Sequence, residues 1–557
     1  MTTINNHLIF TKMKTKFFFA SMLLACAALM ANAQGYKDGI DFYKIGKLDD
    51  AQELLERNLN KAETNKAEAY YYLGQIALQK GDKATASSYF DKGVQANANY
   101  AYNYVGKGAI LLENNNPKEA EKLFKQAEKC SKKNPKLAIA IANAYYMADP
   151  NAYAKQIDKF SNNAFKWNSK DPDYYIFKGD DLGVKKEWGA AAGQYELAFG
   201  YEPTNIESRV KFANVDFFLN EERAVNALEE LLTLVPNSAL VQRELAEKYY
   251  EASNIKGNLP KAVECYGKYY NNPNHFVKDE VRYAQLLWMT KEYDKAVGVC
   301  NALIANSESP TYKFLGYRLK FYSLCDKQDW ENAVNTGNEF FALPDNEATP
   351  YSVTDYSYFA NALNKANRSA EALSVFEKAI AQYPDNADLK AQLASIYNQN
   401  KEYEKAAKLR KQIVESGNYT TSDLYQLASA YCRVGENTQD DNAKEDAVEN
   451  ARKAIKELLE KEPNDMSNLN LAARVEVLAE DNEYKGGALE YYNKLLAAVN
   501  ANSGDVNAKY YYQNVYRYLA TYNKNIGQME IAKDYYKKWL ENDPTNESLR
   551  KFVENLK

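Results

Sequence analysis

Hydrophobic and polar residues are arranged along this chain in short helical bursts. In Asp355–Asp385, Tyr356, Phe359, Ala360 and Leu363 recur at helical spacing, a polar break follows, and Ala372, Phe376 and Ala379 repeat the pattern before Pro384. That spacing puts one apolar stripe on each of two successive helices. Asp173–Pro203 has the same layout, with Tyr175, Lys178, Gly179 and Leu182 followed by Ala191, Tyr195, Ala198 and Pro203. The second-helix intervals are 4, 3 and 5 residues in both stretches. Glycine (24) and proline (14) are scarce, which disfavours an all-β chain built on tight turns.

The second-helix alanine can be followed through most of the chain, at Ala51, Ala86, Ala120, Ala154, Ala191, Ala224, Ala262, Ala296, Ala333, Ala372, Ala406, Ala447, Ala488 and Ala532. An aromatic follows several of them three or four residues later, as at Phe90, Phe124, Tyr195, Tyr266, Phe376, Tyr492 and Tyr536. A period of this size marks stacked helical hairpins. The pattern resembles the tetratricopeptide repeat, a 34-residue helix-turn-helix with an aromatic–Leu–Gly/Ala–Tyr first helix, an Ala–aromatic–Ala second helix and a closing proline. The resemblance implies an all-α fold, a right-handed α-solenoid of about 14 stacked repeats, each contacting mainly its neighbours.

Small residues at the first-helix crossing fit this reading. They are Gly74, Gly108 and Gly179, or Ala246, Ala284, Ala360, Ala394 and Ala428, where a large side chain would push two helices apart. The closing pieces Pro203-Thr-Asn205, Pro236-Asn-Ser238, Pro384-Asp-Asn386, Pro463-Asn-Asp465 and Pro544-Thr-Asn546 end one helix and offer an N-cap to the next. The copies at 67–134, 172–205, 353–419 and 513–546 are the clearest; those near 135–170, 206–236 and 314–345 diverge. Asn254–Pro260, Pro344–Thr354, Glu436–Asp446 and Asn500–Asn507 read as longer loops. Pro344–Thr354 is the expected break between an N-terminal array, 34–345, and a C-terminal array, 346–546, with 547–557 as a polar capping helix.

Ahead of the repeats, residues 14–33 form a basic n-region (Lys14, Lys16), an apolar run from Phe17 to Met30 and the small-x-small site Ala31-Asn32-Ala33. This is the layout of a secretory signal peptide, with Gln34 as the mature N-terminus. Met13 is the expected start, making 1–12 an over-annotated extension. Leu23-Leu24-Ala25-Cys26 offers a lipoprotein alternative, against which the apolar run continues past Cys26. No later stretch approaches the length of a membrane span, so the protein is expected in the periplasm, secreted, or at the cell envelope.

Composition narrows the chemistry. The 557 residues carry 70 Lys+Arg against 75 Asp+Glu, a formal charge of −5, which gives no electrostatic reason to expect a nucleic-acid partner. The two histidines are His7, in the leader, and His275, between two repeats. One remaining histidine supplies no His-rich zinc site, and a Ser–His–Asp or Cys–His enzyme would have to be built on it. Paired-carboxylate chemistry stays open but needs a cleft that a regular solenoid seldom has. The later cysteines, Cys130, Cys265, Cys300, Cys325 and Cys432, contain no CxxC and read as small buried residues. Glu436–Asp446 lacks a calcium-loop pattern, and Val105-Gly-Lys-Gly108 is not a phosphate loop. No catalytic residue, cofactor or metal is expected.

In this family ligands usually lie along the concave face made by the first helices. The expected groove residues are Tyr71, Gln75, Tyr146, Tyr250, Trp288, Asn361, Asn364, Tyr425, Ser429 and Arg517, aromatic rings beside amides, which suit an extended peptide. Tyr250 and Trp288 are expected to present neighbouring rings, although some of the aromatics will pack on the next hairpin instead. The paired Lys/Asn positions of the clamp that grips a peptide's terminal carboxylate hold Glu68, Tyr71 and Gln75, then Tyr102, Val105 and Ala109, so that clamp is absent. The expected function is an exported, non-catalytic scaffold binding a protein or peptide partner, within an envelope complex; the alternative is glycan capture on aromatic platforms.

Overall fold

The structure is a computed structural model that describes residues 35–555. The leader, with His7 and Cys26, lies outside the described residues. Helices follow one another throughout; the one bridge of extended chain among the described residues joins Asn346 and Thr349. The helices pair in sequence, beginning with 35–44 and Leu48–Asn58, then Lys66–Gln79 and Lys83–Ala96, and ending with Ala508–Asn525 and Met529–Asn542. Glu547–Glu554 closes the series, burying Leu549.

The repeat chemistry explains the pairs. Thirteen of the fourteen second-helix alanines are buried, from Ala51 to Ala532. The exception is Ala154, which is exposed. Helix Ala154–Trp167 starts there, and the fourth position, held by Ala120 in Pro117–Cys130 and Ala191 in Trp188–Tyr201, is held by Ile157. Ile157 is therefore the residue that faces the partner helix in this divergent copy. The small first-helix residues are also as tight as expected: a Cβ on Gly74 would lie 2.4 Å from the Phe90 ring, on Gly108 2.3 Å from Phe124, and on Gly179 2.5 Å from Tyr195.

The expected caps form at all five closing pieces. Asn205, Ser238, Asn386, Asp465 and Asn546 accept from the backbone N–H of Ser208, Val241, Leu389, Asn468 and Leu549, satisfying donors that a helix leaves open. Many hairpins turn through a left-handed residue, glycine at Gly81 (φ 83°) but lysine at Lys186, Lys291 and Lys401 (φ 62–63°). Glu436–Asp446 is not a long loop. Helix Thr421–Asn437 runs through its first residues and Asp441–Lys461 through its last, leaving 438–440, where Asp440 caps the second helix.

The described residues divide into two compact units between Ser323 and Leu324, the division falling inside helix Pro310–Asp326. Loop 342–352 lies within the second unit. In the first unit the stack curves until its beginning meets its seventh and eighth hairpins. One cluster of buried side chains runs from Tyr36, Phe42 and Leu54 to Leu240, Tyr266 and Phe276. Phe42 meets Phe276 edge-on with ring centroids 5.4 Å apart. Asn274 donates to the buried Asp38 at 2.7 Å, and Arg243 to Asp50 at 2.8 Å. Lys278 also pairs with Asp50, and Arg57 donates to the His275 carbonyl. In the second unit buried clusters pass from hairpin to hairpin along the stack.

Candidate partner-binding surfaces

The inner face of the first unit is largely taken up by its own side chains. Helix 35–44 lies across it. Its Lys37 pairs with Glu68 at 2.7 Å and its Lys44 with Glu207 at 3.5 Å. Glu207 and Asp180 then share Lys211 at 2.9 and 2.8 Å. Burial pushes the Asp41 carboxyl up to about 7, Lys44 notwithstanding, and that of Asp173 up to about 6. Tyr71 is buried, its ring 5.0–6.5 Å from those of Tyr72, Phe90, Tyr100 and Tyr102, and burial raises its phenol well above the ordinary range. Gln75 is half-buried beside it. Tyr146 is half-buried, donating to Asp181 at 3.1 Å and lying edge-on to Phe177.

Tyr250 and Trp288 are also half-buried. The Arg282 guanidinium lies over the Tyr250 ring at 4.6 Å, and Trp288 packs at 6.0 Å from Tyr322. Beside them a cavity of about 780 Å³ opens where Lys47 of the first hairpin faces helices Ala239–Glu251 and Val277–Met289. Its charges are matched within it: Arg243 with Asp279 at 2.8 Å, Arg282 with Glu247 at 3.3 Å, Lys248 with Glu251 at 2.8 Å. Phe218, 88% exposed, forms part of its lining.

The second unit presents a different inner face. Consecutive first helices are joined across the surface by exposed or half-buried amides: Asn361 donates to Gln392 at 3.1 Å, Asn364 to Gln399 at 3.3 Å and Asn514 to Asn470 at 3.2 Å. Tyr425 and Ser429 are half-buried on Thr421–Asn437; burial raises the Tyr425 phenol, with the phenols of Tyr511 and Tyr510 next in effect. Arg517 is exposed on Ala508–Asn525 and has no ion-pair partner among the described residues. Sequence reasoning named Asn361, Asn364, Tyr425, Ser429 and Arg517 here but missed Gln392, Gln399, Asn470, Arg474 and Asn514. Each lies on the same helix faces, so extending the register into every repeat would have found them.

The remaining groups serve the fold. His275, in the loop before Val277–Met289, is held at both ring nitrogens: its Nδ1 lies 2.7 Å from the Asn272 carbonyl and its Nε2 3.1 Å from Glu280. The Glu280 hydrogen bond raises its pKa against the opposing effect of burial. The five cysteines among the described residues are unpaired thiols, Cys130 partly exposed and the others buried. Among the described residues no group of His, Cys, Asp and Glu could hold a metal ion, and no helix is long and apolar enough to cross a membrane.

Hairpins stacked on glycine- and alanine-lined crossings define an all-α repeat protein of the solenoid class. Residues 36–102 and 363–429 match models of the tetratricopeptide repeat, so the chain carries tetratricopeptide repeats in each of its two units. No curated protein sequence matches it. Among solved structures it is similar to the C-terminal part of a TPR repeat-containing protein from Cytophaga hutchinsonii, at 21% identity over 49% of this chain and 98% of that one, with a TM-score of 0.41. It is similar to a tetratricopeptide repeat protein from Parabacteroides merdae at 16% identity, over 46% of this chain and 98% of that one, with a TM-score of 0.30. Yeast Tom70 aligns at 14% identity over 94% of this chain and 99% of its own, with a TM-score of 0.30.

Proposed function

We propose that this protein is an exported, non-catalytic scaffold that binds an extended segment of a protein partner along the inner face of its second unit, in the periplasm or at the cell envelope. Tetratricopeptide repeats suit protein interaction because stacked hairpins offer a long contact surface. The observation that carries the reading is the run of amide pairs Asn361–Gln392, Asn364–Gln399 and Asn470–Asn514. These side chains are bonded to one another at the surface and can exchange those bonds for the N–H and C=O groups of an incoming chain. Half-buried Tyr425 supplies apolar area beside them. The leader at 14–33 supports export.

The test is site-specific photo-crosslinking in cells. A photoreactive side chain at Asn361 or Ser429 should give a discrete adduct in the envelope fraction, and one at Lys408 or Lys453, on second helices, should not. Adducts from all four positions alike, or from none, would remove the proposal. Glycan-array binding that disappears on Tyr425→Ala would replace it with the glycan reading.

A further inference from the structure

On the inner face of the second unit two consecutive first helices each carry an arginine, and among the described residues one carboxylate, that of Glu436, is bonded to the pair. Helices Met466–Ala479 and Ala508–Asn525 run in register: the Ser467 and Tyr511 hydroxyls lie 2.9 Å apart, and the Asn514 amide meets that of Asn470 at 3.2 Å. Four residues beyond Asn470 and three beyond Asn514, about one helical turn along each axis, the two helices carry Arg474 and Arg517. Arg474 reaches the other way, binding both oxygens of Glu436 on Thr421–Asn437 at 2.5–2.6 Å, and remains half exposed. Arg517 has no such partner among the described residues, and Tyr510, 55% exposed, stands two turns before it. Burial raises the phenol of Tyr492, and the charges of Arg517 and Arg474 both act against that rise. Asp465 is used as the cap of Met466–Ala479, and Glu480 accepts from the backbone N–H groups of Lys485 and Gly487.

The rung Glu436–Arg474–Arg517 thus holds one negative and two positive charges, and the unmatched charge is a planar fork suited to a second carboxylate. Neighbouring amides favour a polypeptide over an anionic polysaccharide, because they match main-chain groups. The rung lies within the amide-lined face, so a through-running segment can offer side-chain carboxylates without ending there. We infer that the occupant of the second unit's inner face is an acidic polypeptide segment, one of whose Asp or Glu side chains is held by Arg517 beside the Arg474–Glu436 pair. This rests on the scaffold reading above and adds the partner's chemistry.

The test uses the chain from Gln34 to Lys557 and labelled decapeptides of alternating Glu and Ala, N-acetylated and C-amidated so that no chain end supplies charge, with the matching Gln peptide as control. Fluorescence anisotropy at low salt should show the Glu peptide binding at least tenfold tighter than the Gln peptide. Arg517→Glu should erase that difference with the melting temperature unchanged. Glu436→Gln, which frees Arg474, should tighten Glu-peptide binding severalfold. Equal binding of the two peptides, an Arg517→Glu variant that behaves as wild type, or polygalacturonate displacing the Glu peptide at lower charge concentration than unlabelled peptide does, would each overturn the inference. If the photo-adduct at Asn361 persists in Arg517→Glu while the peptides fail to discriminate, the acidic-segment inference falls and the scaffold reading stands.

Discussion

Asp50 and Arg243, 193 residues apart, meet in an ion pair at 2.8 Å with both side chains largely buried (6% and 13% exposed). The pair ties the first hairpin to the seventh, so the first unit closes one turn of its stack on itself. A buried pair is poor evidence for added stability, but removing one partner strands the other. Asp50→Ala leaves Arg243 with Asp279 alone and takes away the partner of Lys278. We expect a loss of about 3–5 kcal/mol in the first unit. Hydrogen exchange should show residues 36–58 losing protection and 421–479 keeping it.

Acidic pH should strengthen the first unit. Burial raises Asp41 to about 7 and Asp173 to about 6, and His275 is raised by Glu280. A group whose pKa rises on folding takes up a proton, so its contribution is full below the unfolded pKa and fades as pH climbs through the folded one. The window for the two aspartates is roughly pH 4–7. Glu207 is buried but held low by Lys211 and Lys44, so it opposes this trend only below that window. Calorimetry should show the first unit melting about 2–4 °C higher at pH 5.5 than at pH 8. Asp41→Asn with Asp173→Asn should flatten the profile.

The Phe90 ring lies between two glycines. A Cβ on Gly74 would come within 2.4 Å of it and one on Gly106 within 2.3 Å. Gly106→Ala should therefore overpack the contact between the second and third hairpins, costing about 1–3 kcal/mol. Ala372→Leu, at a fully buried crossing in the second unit, should cost a similar amount. In each case exchange should rise in the adjacent repeats alone, because coupling in a stack is between neighbours.

Lys401 turns its hairpin at φ 62°, a conformation that costs a side-chain-bearing residue about 1–2 kcal/mol. Gly81 does the same work without that strain. Lys401→Gly should stabilise the second unit by about 0.5–1 kcal/mol, the relief exceeding glycine's entropic cost. A lower denaturant midpoint would contradict this.

Thiol chemistry offers a rapid check on burial. Burial pushes Cys265 up to about 11 and Cys300 and Cys432 up to about 12. A chain beginning at Gln34 should expose one fast-reacting thiol, Cys130, to an aromatic disulfide at pH 8, and all five after denaturation.

Much of this architecture is local, and local features leave periodic marks. Ala191, Tyr195 and Gly179 lie within one hairpin, so the crossing they make recurs in sequence wherever a hairpin recurs. The caps at Asn205, Ser238, Asn386, Asp465 and Asn546 are three-residue events readable from the chain alone. Ala154 keeps the alanine spacing but not the crossing, because Ile157 holds that position, and an apolar replacement keeps the contact while erasing the alanine signature. The inner face was half legible. Asn361, Asn364 and Arg517 came from repeat register, but the pairing of their amides with Gln392 and Gln399 depends on how far each hairpin is rotated from the last.

The repeat, its helices, its close crossings and its caps are legible in the chain alone, because each is settled within about 34 residues by packing that every copy repeats. Packing in three dimensions alone sets that Asp50 reaches Arg243, that Tyr71 is buried among four rings, and that Arg474 is spent on Glu436 while Arg517 meets no carboxylate among the described residues. Those outcomes come from small rotations between hairpins added up along the stack. Each rotation is set by the shapes of many interface side chains together, and no single spacing in the chain records their sum.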